Sequence, residues 1–221
     1  MFLLILPVAL AGIAASAYNH HLVTALPSVL ILTLAVFGLY RDFTLRGREK
    51  NYRELGREVL QILNEPGDLH DAVQLVIAAF KARTGFDAVG IRLQEGEDFP
   101  YSAQKGFSPE FLSTENALIA REAGGGICRD RDGKAKLECT CGMVLRAQTG
   151  KSHPFLTRGG SFWTNNSRSL LKIPPGQDPR LHPRNRCTYD GYASVALVPI
   201  RSKDTVVGLI HLNDRRKKRF T

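Results

Sequence analysis

The first 40 residues contain no Asp, Glu, Lys or Arg, and the apolar positions gather in two runs, 1–17 and 22–40, parted by Tyr18, Asn19, His20 and His21. The second run, 19 residues long, is sufficient to cross a hydrocarbon core, and the first lies at the short end of the spanning range. The simplest reading is a transmembrane hairpin over 1–40. The rival for the first run, a cleaved signal peptide, lacks the preceding Lys or Arg that such a leader carries. Arg41, Arg46, Arg48 and Lys50 follow the second run directly, and the short loop holds no basic residue. The positive-inside rule therefore predicts a domain on the cytoplasmic side of the cell membrane.

After residue 40 the pattern becomes amphipathic. Leu45, Tyr52 and Val59 recur every seven residues, with Leu55 and Ile62 three places after the last two, which predicts a linker helix over 41–65. Fewer than three heptads leave two readings open: a helix lying on the domain, or a signalling helix paired in a homodimer. Pro66 and Gly67 break it, and Asp68 is placed to cap the next helix, whose stripe Leu69, Val73, Val76, Ile77 and Phe80 has the spacing of a face that covers a sheet. Residues 86–93 and 99–104 read as a hairpin about the turn 94–98. A helix starts at Ser108-Pro109-Glu110 and runs toward Glu122, and 192–200 and 205–212 form a second hairpin about 201–204. Helix, hairpin, insert and hairpin make an α+β domain over 66–221 on a mostly antiparallel sheet.

The insert, roughly 124–189, carries little periodicity but holds Cys128, Cys139, Cys141 and Cys187 and the one Trp of the chain. A stretch of that length inside a compact domain points to a binding loop system. In a reducing compartment four cysteines favour metal, cofactor or reactive-thiol roles over disulfides. Cys139 and Cys141, one residue apart, would present their thiols to the same side of an extended segment. Four converging thiolates would suit zinc or an iron–sulfur cluster, although the C-x10-C-x-C-x45-C spacing is that of no standard finger or ferredoxin. His153 and His182 are candidate second ligands to a haem iron, Trp163 with Phe162 is placed at the pocket floor or against a cofactor, and Asn165 is a candidate polar lining residue. Gly142, beside Cys141, favours close backbone approach to a ligand.

The net charge of +9 belongs entirely to residues 41–221. Its basic clusters lie at the membrane exit and at Arg215–Arg219, without the interleaved aromatics of a nucleic-acid surface, so no nucleic acid is expected. The second cluster reads as a solvated end or a patch for anionic lipid. No phosphate loop, zinc-protease helix or nucleophile elbow is present, and Gly124-Gly125-Gly126 lacks the following Lys-Ser/Thr pair.

Several segments in order resemble the GAF domains of bacterial and archaeal sensor histidine kinases. They are Gly85-Phe86-Asp87-Ala88-Val89-Gly90-Ile91-Arg92-Leu93, Phe99-Pro100-Tyr101, Lys105-Gly106-Phe107, Glu138-Cys139-Thr140-Cys141-Gly142, Gly160 to Asn165, Arg186-Cys187, Gly191 to Leu197 and Gly208 to Asp214. The resemblance covers 58–221. It implies a six-stranded or similar antiparallel sheet with helices on one side and a pocket on the other, used in signal transduction to sense a small-molecule ligand, a bound cofactor or redox state. It also implies a homodimer or a signalling partner protein. Haem is among the cofactors the resemblance suggests. Kinase motifs are absent from 41–221, and the closing helix of such domains is not recognisable after Arg219, which would make the chain either the sensory piece of a longer kinase or a truncated relative. A thiol-based redox sensor and a cofactor-free dimerisation module are the alternatives.

Overall fold

The computed structural model describes residues 50–51, 53–65, 67–146 and 155–220. Both apolar runs of the expected hairpin lie outside these. Among the described residues no helix is long and apolar enough to cross a membrane.

Helix α1 covers 53–64. Helix α2 spans Leu69–Thr84, capped by Asp68, whose carboxylate accepts the His70 N–H at 2.7 Å. The strands are β1 (Ala88–Leu93), β2 (Tyr101–Lys105), β3 (Phe162–Thr164), β4 (Ser194–Ser202) and β5 (Thr205–Asp214). They form one antiparallel sheet in the order β2-β1-β5-β4-β3. Three short helices, α3 (Pro109–Glu115), α4 (Cys139–Leu145) and α5 (Arg186–Tyr189), lie in the connections with two 3-10 turns.

Strand alternation sorts side chains to two faces. Val89, Ile91, Ala103, Ala196 and Leu212 point to α2 and pack with Val73, Ile77 and Phe86. Ala88, Val195, Leu197 and Leu209 point the other way and pack with Phe107, Phe111, Leu118, Leu137, Val144 and Tyr192. The predicted apolar stripe of α2 thus covers β2 and β1, the edge strand and its neighbour.

Three predicted elements differ. The helix begun at Pro109 stops at Glu115 rather than near Glu122, because Arg92 of β1 takes up its terminal carbonyls: its guanidinium donates to Glu115 O and, at 2.9 Å, to Asn116 O. Residues 118–137 instead fold as a small meander through the bridges Ile119–Leu137, Arg121–Ile127 and Arg129–Ala135. Cys139 and Cys141 lie on helix α4, not on an extended segment. The sheet has five strands among the described residues, with β3 at one edge.

The basic segment after β5 is only partly a solvated end. Asp214, fully buried, holds Arg216 at 2.7 Å and Arg219 at 2.8 Å, and the two guanidinium groups also donate to carbonyls at the end of α2, Arg216 to Gly85 O at 2.6 Å and Arg219 to Thr84 O at 2.7 Å. Cations at a helix C-terminus are favoured by its dipole as well as by hydrogen bonding.

Candidate functional site

The sheet face away from α2 carries polar side chains where its neighbours are apolar. Along β5, Leu209, His211 and Asn213 share this face, and along β1 it holds Ala88, Gly90 and Arg92. His211 is fully buried, and both ring nitrogens are engaged: Nδ1 with the Tyr101 hydroxyl at 2.8 Å and Nε2 with Cys187 Sγ at 3.5 Å. The Arg92 guanidinium sits 3.7 Å over the Tyr101 ring. Gly90 makes this packing possible, since a Cβ there would lie 2.7 Å from Tyr101 Cε1.

Helix α4 and the segment 178–188 roof this face. Cys139, the first residue of α4, has φ +63°; its N–H donates to Leu181 O at 2.7 Å and its sulfur accepts the Arg184 N–H at 3.2 Å. Arg184 in turn donates to Thr114 O and Ala117 O and faces Glu115 at 3.2 Å and Glu138 at 3.7 Å. Arg180 is held by Asp178 at 2.6 Å and by Asn185 Oδ1 at 2.8 Å. Of the five non-glycine residues with positive φ among those described, Cys139, His182 and Asn185 belong to this roof. A side chain with a Cβ in that region costs roughly 1–2 kcal/mol, least for Asn, so the roof stores strain where loops of binding sites commonly do.

Between roof and sheet is a cavity of about 30 Å³, walled by Cys139, Cys141, Cys187, His211, Glu115, Thr140, Ser167, Val195 and Leu197 among others. It has room for an ion or one or two waters, and is far smaller than the several hundred Å³ of a typical ligand pocket; a porphyrin does not fit it. A larger open groove of about 610 Å³ runs along the outer side of α4 past Asp130, Lys134 and Asp204, but its walls include none of the four cysteines and not His211.

Burial dominates the electrostatics. It pushes the Cys141 thiol up to about 12 and the Cys187 thiol well above its ordinary range. Burial, reinforced by the Arg92 charge, pulls His211 down to about 3. At neutral pH the Tyr101–His211–Cys187 chain is therefore an uncharged hydrogen-bonded string, not a thiolate–imidazolium pair. Asn213, fully buried, lies beside Cys187 and His211, and its amide partly offsets the effect of burial on that thiol and on that imidazole.

No protein-family model matches the sequence, and no curated protein matches it. Among solved structures, the GAF domain of a phosphoenolpyruvate-protein phosphotransferase (ptsP) from Coxiella burnetii superposes with a TM-score of 0.51 at 14% identity, over 78% of this chain and 82% of that one. The domain has the GAF fold. The A. aeolicus nlh2 GAF domain in an inactive state gives 0.49 at 14% identity over 75% and 80%, and the free methionine-R-sulfoxide reductase from Neisseria meningitidis gives 0.47 at 14% over 77% of each.

Within this GAF-fold domain the residues singled out from sequence scatter. Cys139, Cys141 and Cys187 meet at the cavity, whereas Cys128 lies on the middle strand of the meander and is absent from its walls. Trp163 is 46% exposed and leans on Phe220: on a strand that buries Phe162, the next side chain must face the other way, so it is no pocket floor. Asn165 fastens the end of the chain, donating to Phe220 O at 2.7 Å and accepting from Phe220 N–H and Ser194 Oγ, away from the cavity. His182 is exposed and pairs with Glu138 at 3.2 Å. His153 lies outside the described residues. Gly142 serves packing, not ligand approach, since a Cβ there would run into the Leu137 carbonyl. Among the described residues no group of three or more His, Cys, Asp or Glu side chains stands in metal-holding geometry, so the four-cysteine centre is not formed. His211, Tyr101 and Asn213 were missed by sequence reasoning. The signal was the alternation in Leu209-Ile210-His211-Leu212-Asn213, which puts His and Asn on the same face as the core residue Leu209.

Proposed function

We propose that this chain is a sensory or regulatory module of signal transduction whose effector or cofactor occupies the cavity beneath α4 and the 178–188 roof. The observation that carries this reading is the meeting of three cysteines and an imidazole at one cavity beneath α4, on the sheet face away from α2. The cavity volume restricts the occupant to an ion or a molecule of a few atoms, unless the strained roof opens. Reversible thiol oxidation fits less well, because the attacking species is a thiolate and burial keeps Cys141 and Cys187 protonated.

The reading extends to the parts outside the cavity. The apolar runs 1–17 and 22–40 would anchor the module in the cell membrane, with Arg41 to Lys50 holding the domain in the cytoplasm. Leu60 and Leu63 of α1 and Leu75 of α2, all more than half exposed, support pairing with a second copy or a signalling partner.

Native mass spectrometry of the full-length chain, purified reduced in detergent, tests the cavity. The expected result is a bound species present on wild type and lost on Leu170→Phe, which fills the cavity wall. A bare wild-type mass, with hydrogen exchange in 139–145 and 178–188 unchanged by Leu170→Phe, would count against the module having an occupant there.

A further inference from the structure

The segment after β5 presents a surface that is independent of whatever occupies the cavity. We propose that the strap 215–220, together with Trp163 and Val198, is a face that docks on an anionic lipid leaflet.

The strap is pinned on both sides of its tip. Before the tip, Asp214 accepts the Arg216 N–H at 2.8 Å. After it, the Phe220 N–H donates to Asn165 Oδ1 at 3.0 Å, the Asn165 amide donates to Phe220 O at 2.7 Å, and the Phe220 ring stacks on Phe86 with centroids 5.5 Å apart. Arg216 and Arg219 turn their guanidinium groups inward, to Asp214 and the end of α2. Lys217 and Lys218 stand between these fixed points, exposed and with no ion-pair or hydrogen-bond partner among the described residues. Segment 214–219 carries five cations and one carboxylate. Asp214 and Asp87, which accepts the Arg215 N–H at 2.7 Å, offset only part of that charge.

An apolar patch adjoins the strap. Trp163 is paired with Ala196, so it shares a face with Ala196 and, two residues further along β4, with Val198. This is the face that α2 covers over β1 and β2; over β3 and β4, Trp163 is 46% and Val198 36% exposed. The indole lies edge-to-face with Phe220, centroids 6.5 Å apart, which sets it beside the strap.

Cations alone would suit any polyanion, and an apolar patch alone any protein. An indole beside unpaired lysines is the combination that a bilayer interface selects. Tryptophan settles at the headgroup level, lysine stems lie along apolar surface with the ammonium group at the phosphates, and an anionic leaflet favours each nearby cation by about five-fold in partition. With 1–40 in the membrane, a step that rests on the anchor reading above, docking is intramolecular, and a few such contacts are enough.

Trp163 is the one tryptophan of the chain, so its fluorescence reports this face. The full chain is reconstituted in phosphatidylcholine vesicles with brominated acyl chains, with and without phosphatidylserine. Phosphatidylserine should increase bromine quenching of Trp163 and shift its emission to the blue. Combining Lys217→Gln and Lys218→Gln should lower the docked-to-undocked ratio roughly 25-fold, and salt at about 1 M should act in the same direction by screening. Neither lysine has a partner to lose, so the double variant keeps the fold. Quenching that is equal in neutral and anionic vesicles, absent from both, or unchanged in the double variant would overturn the docking face. Flotation with neutral vesicles reports the anchor separately. A chain that floats with them but shows no phosphatidylserine-dependent quenching has the anchor without the face; one that fails to float with them but is quenched in anionic vesicles has the face without the anchor.

Discussion

The two faces of the sheet are built from the same five strands and solve opposite problems. Toward α2, Val89 and Ile91 of β1 and Leu212 of β5 are aliphatic, and Val73 and Ile77 close over them. On the other face the same strands bury Arg92, His211 and Asn213 among Tyr101, Cys141 and Cys187. Burying apolar area yields roughly 25 cal/mol per Å² with no geometric condition, whereas each buried polar group must find a partner or lose stability. The first face maintains the fold; the second keeps polar groups that each need a partner, as proteins tolerate where a site needs them.

That contrast can be broken most strongly from the α2 side. Ile77→Ala, which removes a fully buried side chain, should cost about 2–5 kcal/mol in denaturant unfolding while leaving hydrogen exchange in 139–145 and 178–188 of the folded protein unchanged. Faster exchange there would show that the faces are not independent.

Acid should act through the other face. His211 titrates in the unfolded state near 6.5 and in the fold at about 3. The unfolded chain takes up the proton first, so the stability due to neutral His211 is fully present above about pH 6.5. It should fall by about 1.4 kcal/mol per pH unit below that, until the folded group itself protonates. Urea unfolding of wild type against His211→Gln at pH 7, 6 and 5 should show the difference shrinking at that slope.

A smaller effect tests the buried amide. Asn213→Leu removes the polar group beside Cys187 and His211 and should lower stability by about 1 kcal/mol in urea unfolding; a rise in stability would mean that the amide has no partner in solution. The smallest change belongs to Trp163→Ala: an exposed side chain on edge strand β3 should shift the thermal midpoint by the equivalent of less than about 0.5 kcal/mol.

Local pattern carried the α2 side. The spacing of Val73, Ile77 and Phe80, the Asp68 cap and the alternating runs around Val89 and Leu212 predict a helix over a sheet because each depends on neighbours three or four, or two, residues away. The same alternation, applied to Phe162-Trp163 or to Leu209-His211-Asn213, contained the orientation of Trp163 and His211. It needed to be read as an instruction about faces rather than as a list of core aromatics. Cys139-Thr140-Cys141 was beyond local reach: three residues with no strong helix former sit in α4 because Leu181 O, the Arg184 N–H and the Leu137 backbone surround them.

The sequence by itself determined the layers: an uncharged stretch over 1–40, a basic stretch after it, an amphipathic helix and strands of period two, since periodicity and charge are local quantities. Only the tertiary structure decided which polar groups share a cavity. Tyr101 and His211 are 110 residues apart and Cys187 and His211 are 24 apart, so their meeting depends on strand order, on register and on how α4 packs, none of which local preference fixes. For the same reason Cys128, equal to the other cysteines in the sequence, is excluded from their company in the fold.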